Sequence, residues 1–394
     1  MKKTWKVHRQ GFTYSEKLLQ WIWENLLFEN SSLRTENGKS IKVLDQGVLN
    51  LTDGPDFKNA VIEIDGIVWY GSVELHINAS GWRLHNHHLD PNYNQVILHV
   101  VVEDSPEDVS SKNGASPATL NLLPYLPKEL IQFMTNFRGS KHLPCAEGLH
   151  YISPDAFRLQ IEKAHREYFE KKADDFLRFY NPNLLPSVAW KHALVISIFD
   201  AFGITYNREP MREVGEWFLN QEKTHKEGIL DDVYHFAGLL DSEGALNWNY
   251  KGVRSHNHPK KRIEQAVKLS QHILETPMES FLEESPEFFL TRISKEAQLA
   301  QLNRTAIIYG TVFLPAMYIL GTLFGSSGIS EKAHTLWMNL HTPVPKKLLQ
   351  KFENIDGIKS SHYSKKLGSI HQLKAYCYVN RCDECLVLKK AILS

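Results

Sequence analysis

Acidic residues and histidines are concentrated in the segment from residue 53 to residue 99. Asp56 precedes one run rich in Val and Ile, and Glu74 and His76 lie in the next run. Side chains two residues apart on a strand point to the same face. Carboxylate oxygens are the ligands that hard cations prefer, so we expect Asp56 and Glu74 to bind Mg²⁺ or Mn²⁺. His76 is expected to orient or deprotonate a water molecule beside that ion. The alternative is a solvated strand without a chemical function.

Four more polar side chains follow in the same segment, namely His85, His87, Asp90 and Tyr93. Three interpretations are open. These side chains could contact a scissile phosphate beside the bound metal, or His85, His87 and Asp90 could bind a separate Zn²⁺ ion. They could also make structural hydrogen bonds only. His99 lies within the apolar run ILHVVV, so we expect it to be buried with one hydrogen bond.

The chain has four cysteines, and three of them lie near its end as Cys377-x4-Cys382-x2-Cys385. Thiolates at such spacing can bind one Zn²⁺ ion or one iron–sulfur cluster. Cys145 is the remaining cysteine and therefore the candidate for a fourth ligand. A triplet completed by a ligand other than cysteine, or four free thiols, are the alternatives. Four cysteines in a long chain are too few to predict a disulfide framework.

Basic residues are concentrated in the segment KGVRSHNHPKKR, from residue 251 to residue 262. Arg254 and Arg262 are candidates for contact with phosphate groups, because the loop leads into a helix whose N-terminus attracts the same groups. A solvated charged face is the alternative. The chain as a whole has 45 basic and 45 acidic residues. It therefore lacks the overall positive charge of proteins that hold nucleic acid by electrostatics alone.

Short runs of Val and Ile predict the strands that position the acidic candidates. The runs are SIKVLDQGVLNL, NAVIEI, IVWYGSVELHI and NQVILHVVVE. Asp65 and Gly66 separate the middle two, which is typical of a hairpin with a type I′ turn. An amphipathic helix, capped by Ser15 and extending to Phe28, precedes them. We expect a sheet of at least four strands in this part of the chain.

From about residue 120 onward the helical period dominates. Ser153, Pro154 and Asp155 predict the start of a long helix, and a second is expected from Pro186 to Gly203, a candidate C-terminal cap. Further helical patterns lie near 209–219, 260–275, 287–302 and 331–339.

The stretch from residue 305 to residue 330 has no charge and is long enough to span a bilayer. Its proline and its small polar residues favour a buried helix pair, broken near Pro315 and Gly321. The N-terminal residues contain no apolar run of the kind found in secretory signals. We therefore expect a cytoplasmic protein without a membrane partner.

The carboxylate motif resembles a known class of enzyme. The order Gly54-Pro55-Asp56, hairpin, Glu74-Leu75-His76, after an N-terminal helix, is similar to the core of the PD-(D/E)XK nucleases. That resemblance implies metal ligation by Asp56 and Glu74, with His76 in place of the usual lysine. Several of those nucleases also bind an iron–sulfur cluster through one distant cysteine and a cysteine triplet.

A second resemblance extends over nearly the full length of the chain. It rests on the phrase GSVELH…WRLHNHHLDPNYNQVILHVV, on Asn207, on the basic segment and on the cysteine triplet. These motifs resemble an uncharacterised bacterial family of domains of unknown function.

The sequence therefore predicts an α+β fold in three parts. An α/β sheet domain with a nuclease-like core is expected at 1–120, a larger all-α domain at 121–376, and a cysteine metal-binding tail at 377–394 that packs back on the junction. The expected function is that of a metal-dependent nuclease or phosphodiesterase acting on DNA or RNA. One alternative is a non-catalytic nucleic-acid-binding or adaptor protein on a degenerate nuclease-like scaffold. Another is a hydrolase that acts on a small substrate through a histidine-rich Zn²⁺ site.

Overall fold

The structure is a computed structural model of the chain. Ser15, Arg254 and most of the helix expected at 287–302 lie outside the residues that it describes. Those residues are 16–103, 109–135, 143–149, 151–203, 206–221, 224, 228–240, 246–250, 253, 255–283, 295 and 306–393.

The fold is α+β, with a six-stranded sheet in the N-terminal part and a largely helical remainder. The sheet has the order β1-β3-β4-β5-β6, and β2 pairs with β3. Antiparallel pairs join β1 to β3 and β3 to β4, whereas β4, β5 and β6 are parallel. The strands are β1 (Ile41–Asp45), β2 (Val48–Leu49), β3 (Phe57–Ile64), β4 (Ile67–Leu75), β5 (Val96–Val101) and β6 (Ala118–Asn121).

The hairpin predicted at Asp65-Gly66 is present and connects β3 to β4. Both turn residues have positive φ, 50° at Asp65 and 79° at Gly66, as a type I′ turn requires. At the other end of β3 the pairing contains a bulge between Phe57 and Ala60, with Asn59 at φ 61°. A bulge inserts an extra residue and bends the strand locally. The bend lies immediately after Asp56.

The two faces of the sheet have different surroundings. One face carries the larger apolar core, in which β3, β4 and β5 pack against α1 (Glu16–Glu24) and α3 (Lys128–Thr135). The other face carries a smaller cluster around Trp82 and Tyr93. Side chains alternate between the two faces of a strand. Val73 and Leu75 therefore enter the larger core, and Glu74 lies on the opposite face of the sheet. His99 is paired with Glu74 across β4 and β5.

The chain divides into two compact units. The first comprises Met1–Gln160, Lys347–His362 and Gln372–Ser394, and the second Ile161–Lys346 and Tyr363–His371. The first unit extends past residue 120 because Leu126, Leu130 and Phe133 pack into the larger core. Its helices also include α2 (Gly81–Leu84) and α4 (Pro144–Gly148). The domain limits inferred from the sequence stay a prediction.

Most of the remaining described chain is helical. The predicted start of a long helix at Pro154 is confirmed, and the helix predicted from Pro186 ends one residue before Gly203. Gly203 has φ −65°, so it is not a left-handed cap. A Cβ there would lie 2.4 Å from Asn207 O, and close packing therefore requires glycine. The helices are α5 (Pro154–Leu177), α6 (Pro186–Phe202), α7 (Arg208–Leu219), α8 (Ile229–Phe236), α9 (Pro259–Glu275) and α10 (Met278–Glu283), followed by Leu314–Leu323, Ser327–Met338, Lys346–Leu349, Gly368–His371 and Leu386–Leu393.

The uncharged stretch forms a helix pair, but its break differs from the predicted one. Ala306–Leu323 is one helix, long and apolar enough to cross a membrane, and 67% of it is buried within the protein. A π-helical turn at Tyr309–Phe313 precedes Pro315, so the proline is accommodated without ending the helix. The break lies after Leu323. At Gly321 a Cβ would lie 2.4 Å from Ser330 Oγ of the next helix, because the two helices approach closely there.

Candidate active site

Asp56 and Glu74 are brought together by reciprocal hydrogen bonds with the backbone. The Asp56 N–H donates to Glu74 Oε2 at 3.0 Å, and the Leu75 N–H donates to Asp56 Oδ2 at 3.0 Å. Asp56 lies directly before β3 and Glu74 near the end of β4, so the antiparallel hairpin places them side by side. Gln20 Nε2 of α1 donates to Asp56 Oδ1 at 2.7 Å. Both carboxyl groups are therefore held in fixed orientations.

The two carboxyl groups titrate far from their usual range. Burial, and then repulsion from Glu74, raise the pKa of Asp56 to about 7. Burial raises the pKa of Glu74 to about 8, although the hydrogen bond from Asp56 opposes the shift. Among the described residues, the hydrogen bonds and ion pairs of these two carboxylates include no Lys or Arg. The site therefore has an excess of negative charge whenever both groups are ionised.

Glu16 is a third acidic residue of the site, which the sequence analysis missed. Burial raises its pKa, and it interacts electrostatically with His85 and His87 as well as with Asp56. Glu16 and Gln20 are four residues apart, and therefore share one face of α1. This polar pair beside the apolar stripe of the helix is the feature of the sequence that could have indicated a role for Glu16. The sequence does not reveal which strand residues that face meets.

His76 lies between two other histidines. Its Nδ1 is 2.9 Å from His99 Nε2, and its Nε2 is 3.1 Å from His85 Nδ1. Burial lowers the pKa of His76 strongly, and lowers that of His99 to about 4. Both imidazoles are therefore neutral at pH 7. His99 is fully buried and bonded to one partner, as its apolar strand predicted.

His87 faces Glu74 from the segment that follows α2. Its Nε2 lies 3.0 Å from Glu74 Oε1, but without the alignment of a hydrogen bond, so this buried nitrogen has no hydrogen-bond partner among the described residues. The ring stacks on Tyr93, with the centroids 3.7 Å apart. Burial also lowers the pKa of His87. A neutral nitrogen and a carboxylate oxygen so arranged can share a cation.

Three histidines have the geometry of metal ligands. One ligand atom from each of His76, His85 and His87 lies within 4.8 Å of the others. Glu74 Oε1 is 3.6 Å from His76 Nε2 and 3.0 Å from His87 Nε2, so it lies beside two of the three histidines. In the described part of the chain, this is the group of three residues whose ligand atoms lie close enough together to bind one metal ion. The donor set of three imidazole nitrogens and a carboxylate oxygen suits a divalent transition metal.

Gly81 and Trp82 pack against the histidine rings and restrict their orientation. A Cβ on Gly81 would lie 2.4 Å from the His76 ring, so the start of α2 approaches that ring as only glycine allows. Trp82 is buried and contacts the rings of His87 and His99 edge-on. The indole Nε1 donates to Ser110 O. The imidazoles therefore have little freedom to rotate away from Glu74.

A cavity of about 680 Å³ is lined by residues that flank Asp56 and Tyr93 in the sequence, but not by the carboxylates or histidines of the site. Its walls include Gly54 and Pro55, which directly precede Asp56, and Asn92, which precedes Tyr93. Lys58 supplies a positive charge and Tyr70 an aromatic ring that is 77% exposed. A space of this volume is typical of small-molecule or nucleotide binding.

Comparison with known proteins gives one family match. The profile of the family described as "Protein of unknown function (DUF2851)" matches residues 16–230, more than half of the chain. The chain belongs to this family. A search of curated proteins and a search of solved structures found no match. The resemblance to an uncharacterised domain family is thus supported over residues 16–230 rather than over nearly the full length, and the match does not extend to the PD-(D/E)XK nucleases.

The region matched to this family contains Asp90, which does not join the histidine cluster. Its carboxylate accepts a hydrogen bond from the Asn92 N–H at 2.9 Å and caps a short 3₁₀ helix. Its charge still acts on His87 through space. The structure thus groups His85 and His87 with His76, in place of the expected grouping with Asp90, because the segment after α2 turns both rings toward the end of β4.

Arg262 lies beyond the part matched to this family and belongs to the second unit. It is only 5% exposed, and its guanidinium donates to Gln265 and Asn257. Burial lowers its pKa. This arrangement favours a structural role, because a phosphate ligand needs access to the guanidinium.

The four cysteines, predicted as one metal site, line a single cavity of the first unit. Cys145 is contributed by α4, and Cys377, Cys382 and Cys385 by the C-terminal segment. None forms a disulfide.

Proposed function

We propose that the chain is a metal-dependent nuclease that hydrolyses phosphodiester bonds of DNA or RNA. The observation that carries the proposal is the meeting of Asp56, Glu74 and three histidines at one place. Among the described residues, no Lys or Arg is bonded to the two carboxylates. Acids are rarely buried without a partner, and a divalent cation is the partner that this donor set fits.

The raised pKa values of Asp56 and Glu74 indicate that the site lacks a positive charge, which a bound cation would supply. Glu74 is only 4% exposed, and an ionised carboxylate at such a position needs a nearby cation to offset the lost hydration. A divalent ion beside Glu74 would lower the pKa values of both Glu74 and Asp56. The same ion would also be the partner of His87 Nε2, which is buried without a hydrogen bond among the described residues.

The donor atoms indicate which metals suit the site. In the tautomer whose Nδ1–H donates to His99 Nε2, His76 keeps the Nε2 lone pair for a metal. Nε2 of His76 and His87, Nδ1 of His85 and Oε1 of Glu74 then form a mixed nitrogen and oxygen set. Mn²⁺ and Zn²⁺ accept such ligands, whereas Mg²⁺ prefers oxygen alone. Among the ions expected from the sequence, Mn²⁺ therefore fits best.

The residues of the site have separable roles in this proposal. A bound metal would polarise a phosphoryl oxygen and lower the pKa of a coordinated water. Glu74 and the histidines hold the metal, and Asp56 adds a second carboxylate that Gln20 keeps in place. Burial lowers the pKa of His76 strongly, so its imidazole is a poor proton acceptor, and in this proposal it acts as a ligand and not as the base expected from the sequence.

The lining of the cavity that flanks Asp56 and Tyr93 in the sequence supports a nucleic-acid substrate. Lys58 offers a charge for a phosphate, and several side-chain amides line the same walls. The exposed ring of Tyr70 offers a surface on which a base can stack. The order of the acidic residues on the hairpin also keeps its resemblance to the PD-(D/E)XK core.

The test is cleavage by the purified protein. After chelator treatment, we expect no cleavage of single- or double-stranded DNA or RNA, and we expect Mn²⁺ to restore cleavage of at least one of these substrates. Zn²⁺ and Mg²⁺ are compared at equal concentration. Binding of nucleic acid without cleavage under every metal would contradict the enzyme proposal and favour the non-catalytic adaptor. Neither binding nor cleavage would contradict both.

A further inference from the structure

All cysteines of the chain meet at one apolar cavity of the first unit. Cys145 is contributed by α4 and Cys377 by a π-helical turn (Gln372–Cys377), while Cys382 and Cys385 precede the last helix. The walls between them are mainly apolar and include Phe133, Phe157, Phe352, Tyr376, Val387 and Leu388. Segments far apart in the sequence thus converge through their thiols, and no disulfide joins them.

A chain of glutamine amides is aimed at the sulfur atoms. The Leu386 N–H donates to Gln160 Oε1 at 2.9 Å, and Gln160 Nε2 donates to Gln372 Oε1 at 2.7 Å. These bonds fix the Gln372 amide so that its Nε2 faces Cys377 Sγ at 3.5 Å and Cys385 Sγ at 3.8 Å. Amide N–H groups directed at sulfur are the outer contacts that stabilise metal-bound thiolates.

The thiols are unsuited to ionise without a metal. Burial raises the pKa of Cys145 to about 12, and raises the pKa values of Cys377 and Cys382 well above the usual value. Repulsion among the cysteines acts in the same direction. A reactive or redox-sensing cysteine needs a lowered pKa and exposure, so these thiols are poorly suited to act as nucleophiles.

The spacing of the thiols distinguishes between two kinds of metal centre. Four sulfurs bound to one Zn²⁺ ion at about 2.3 Å must lie within about 4 Å of one another. In the described residues no three cysteine sulfurs lie within 4.8 Å of one another. The sulfurs are therefore spaced more widely than one Zn²⁺ ion requires. In an iron–sulfur cluster each thiolate can bind a different iron atom, so the sulfurs lie further apart.

We propose that Cys145, Cys377, Cys382 and Cys385 bind one iron–sulfur cluster that links α4 to the C-terminal segment of the first unit. The cluster is held by one thiolate from each cysteine, and the Gln372 amide donates to two of the sulfurs. Its role is to fasten these segments beside the core under the sheet, where Leu388 and Cys382 pack. The proposal does not depend on the chemistry of the carboxylate site.

The experiment is metal and sulfide analysis of the full chain purified without oxygen. We expect a brown protein with iron and acid-labile sulfide in equal amounts, and visible absorption that bleaches on reduction with dithionite. Cys145→Ser should lose most of the iron and the absorption. Tyr378→Ala is the matched control, because Tyr378 is adjacent to Cys377 but 55% exposed, and it should keep both.

Stoichiometric zinc without iron would overturn the cluster and leave a zinc site with rearranged thiols. Protein without either metal, after purification and after reconstitution with iron and sulfide, would overturn the metal site altogether. If Cys145→Ser fails to fold, Gln372→Leu serves instead, since it retains all four thiols. We expect Gln372→Leu to bind iron but to shift the reduction potential, and an unchanged potential would overturn the role of the amide.

Discussion

Glu74→Gln is expected to abolish cleavage while leaving the metal-free protein as stable as the wild type or more stable. The substitution removes the charge that holds the cation, so activity should fall by more than about 100-fold, because residues that merely orient metal ligands already contribute 10–100-fold. In the absence of metal the glutamine amide can donate to His87 Nε2, which has no hydrogen bond in the described structure. That bond could contribute about 1 kcal/mol to the free energy of unfolding.

The matched control is Glu63→Gln. Glu63 lies on the neighbouring strand β3, where it pairs with the exposed Lys42 at 2.9 Å. Surface pairs of this kind contribute about 0–1 kcal/mol, so activity and stability should both stay close to wild type. Cleavage rates and urea unfolding of the three proteins decide the outcome. Full activity in Glu74→Gln would mean that Glu74 does not bind a catalytic metal.

The metal-free protein is expected to lose stability as the pH rises from about 6.5 to about 8. The pKa values of Asp56 and Glu74 are raised from 3.8 and 4.5 to about 7 and about 8. The stabilisation that these protonated carboxyl groups contribute is fully present below their pKa values in the unfolded chain. It is lost as the pH rises through their pKa values in the native state. In this window the unfolded chain binds fewer protons than the native state, so the free energy of unfolding falls with pH.

The buried histidines do not mask this effect. The pKa values of His76 and His99 are lowered from 6.5, so their contribution is complete above pH 6.5 and is lost only as the pH falls. Added Mn²⁺ at 100 times its Kd should raise the free energy of unfolding by about 2.7 kcal/mol. At one fixed Mn²⁺ concentration the gain should be larger at pH 8 than at pH 6.5, because the ionised carboxylates bind the metal more tightly. Denaturant unfolding at several pH values, with and without chelator, measures both effects, and Glu74→Gln should flatten the pH dependence.

The hairpin shows how much of the site follows from local sequence. Asp65-Gly66 defines the turn, and the turn defines the pairing that brings Asp56 beside Glu74. These relations depend on neighbours in the sequence, and they were predictable. The position of His76 at the end of β4 followed from the same strand.

Other parts of the site depend on contacts between distant segments. Gln20 reaches Asp56, and Glu16 acts electrostatically on the site, only because α1 packs on the sheet, and no sequence period indicates that packing. The grouping of His85 and His87 with His76 depends on the close approach of Gly81 to the His76 ring. Strand β6 (Ala118–Asn121) was also missed, because its four residues follow a polar segment rich in Ser and Pro.

The most direct test of the proposed metal centre is anomalous diffraction from crystals of the protein grown with Mn²⁺. The proposal predicts a manganese peak about 2.0–2.6 Å from Glu74 Oε1 and from the ring nitrogens of His76, His85 and His87. The peak should be absent from crystals of Glu74→Gln. Manganese bound only at other places, with the four side chains arranged as they are here, would contradict the proposal.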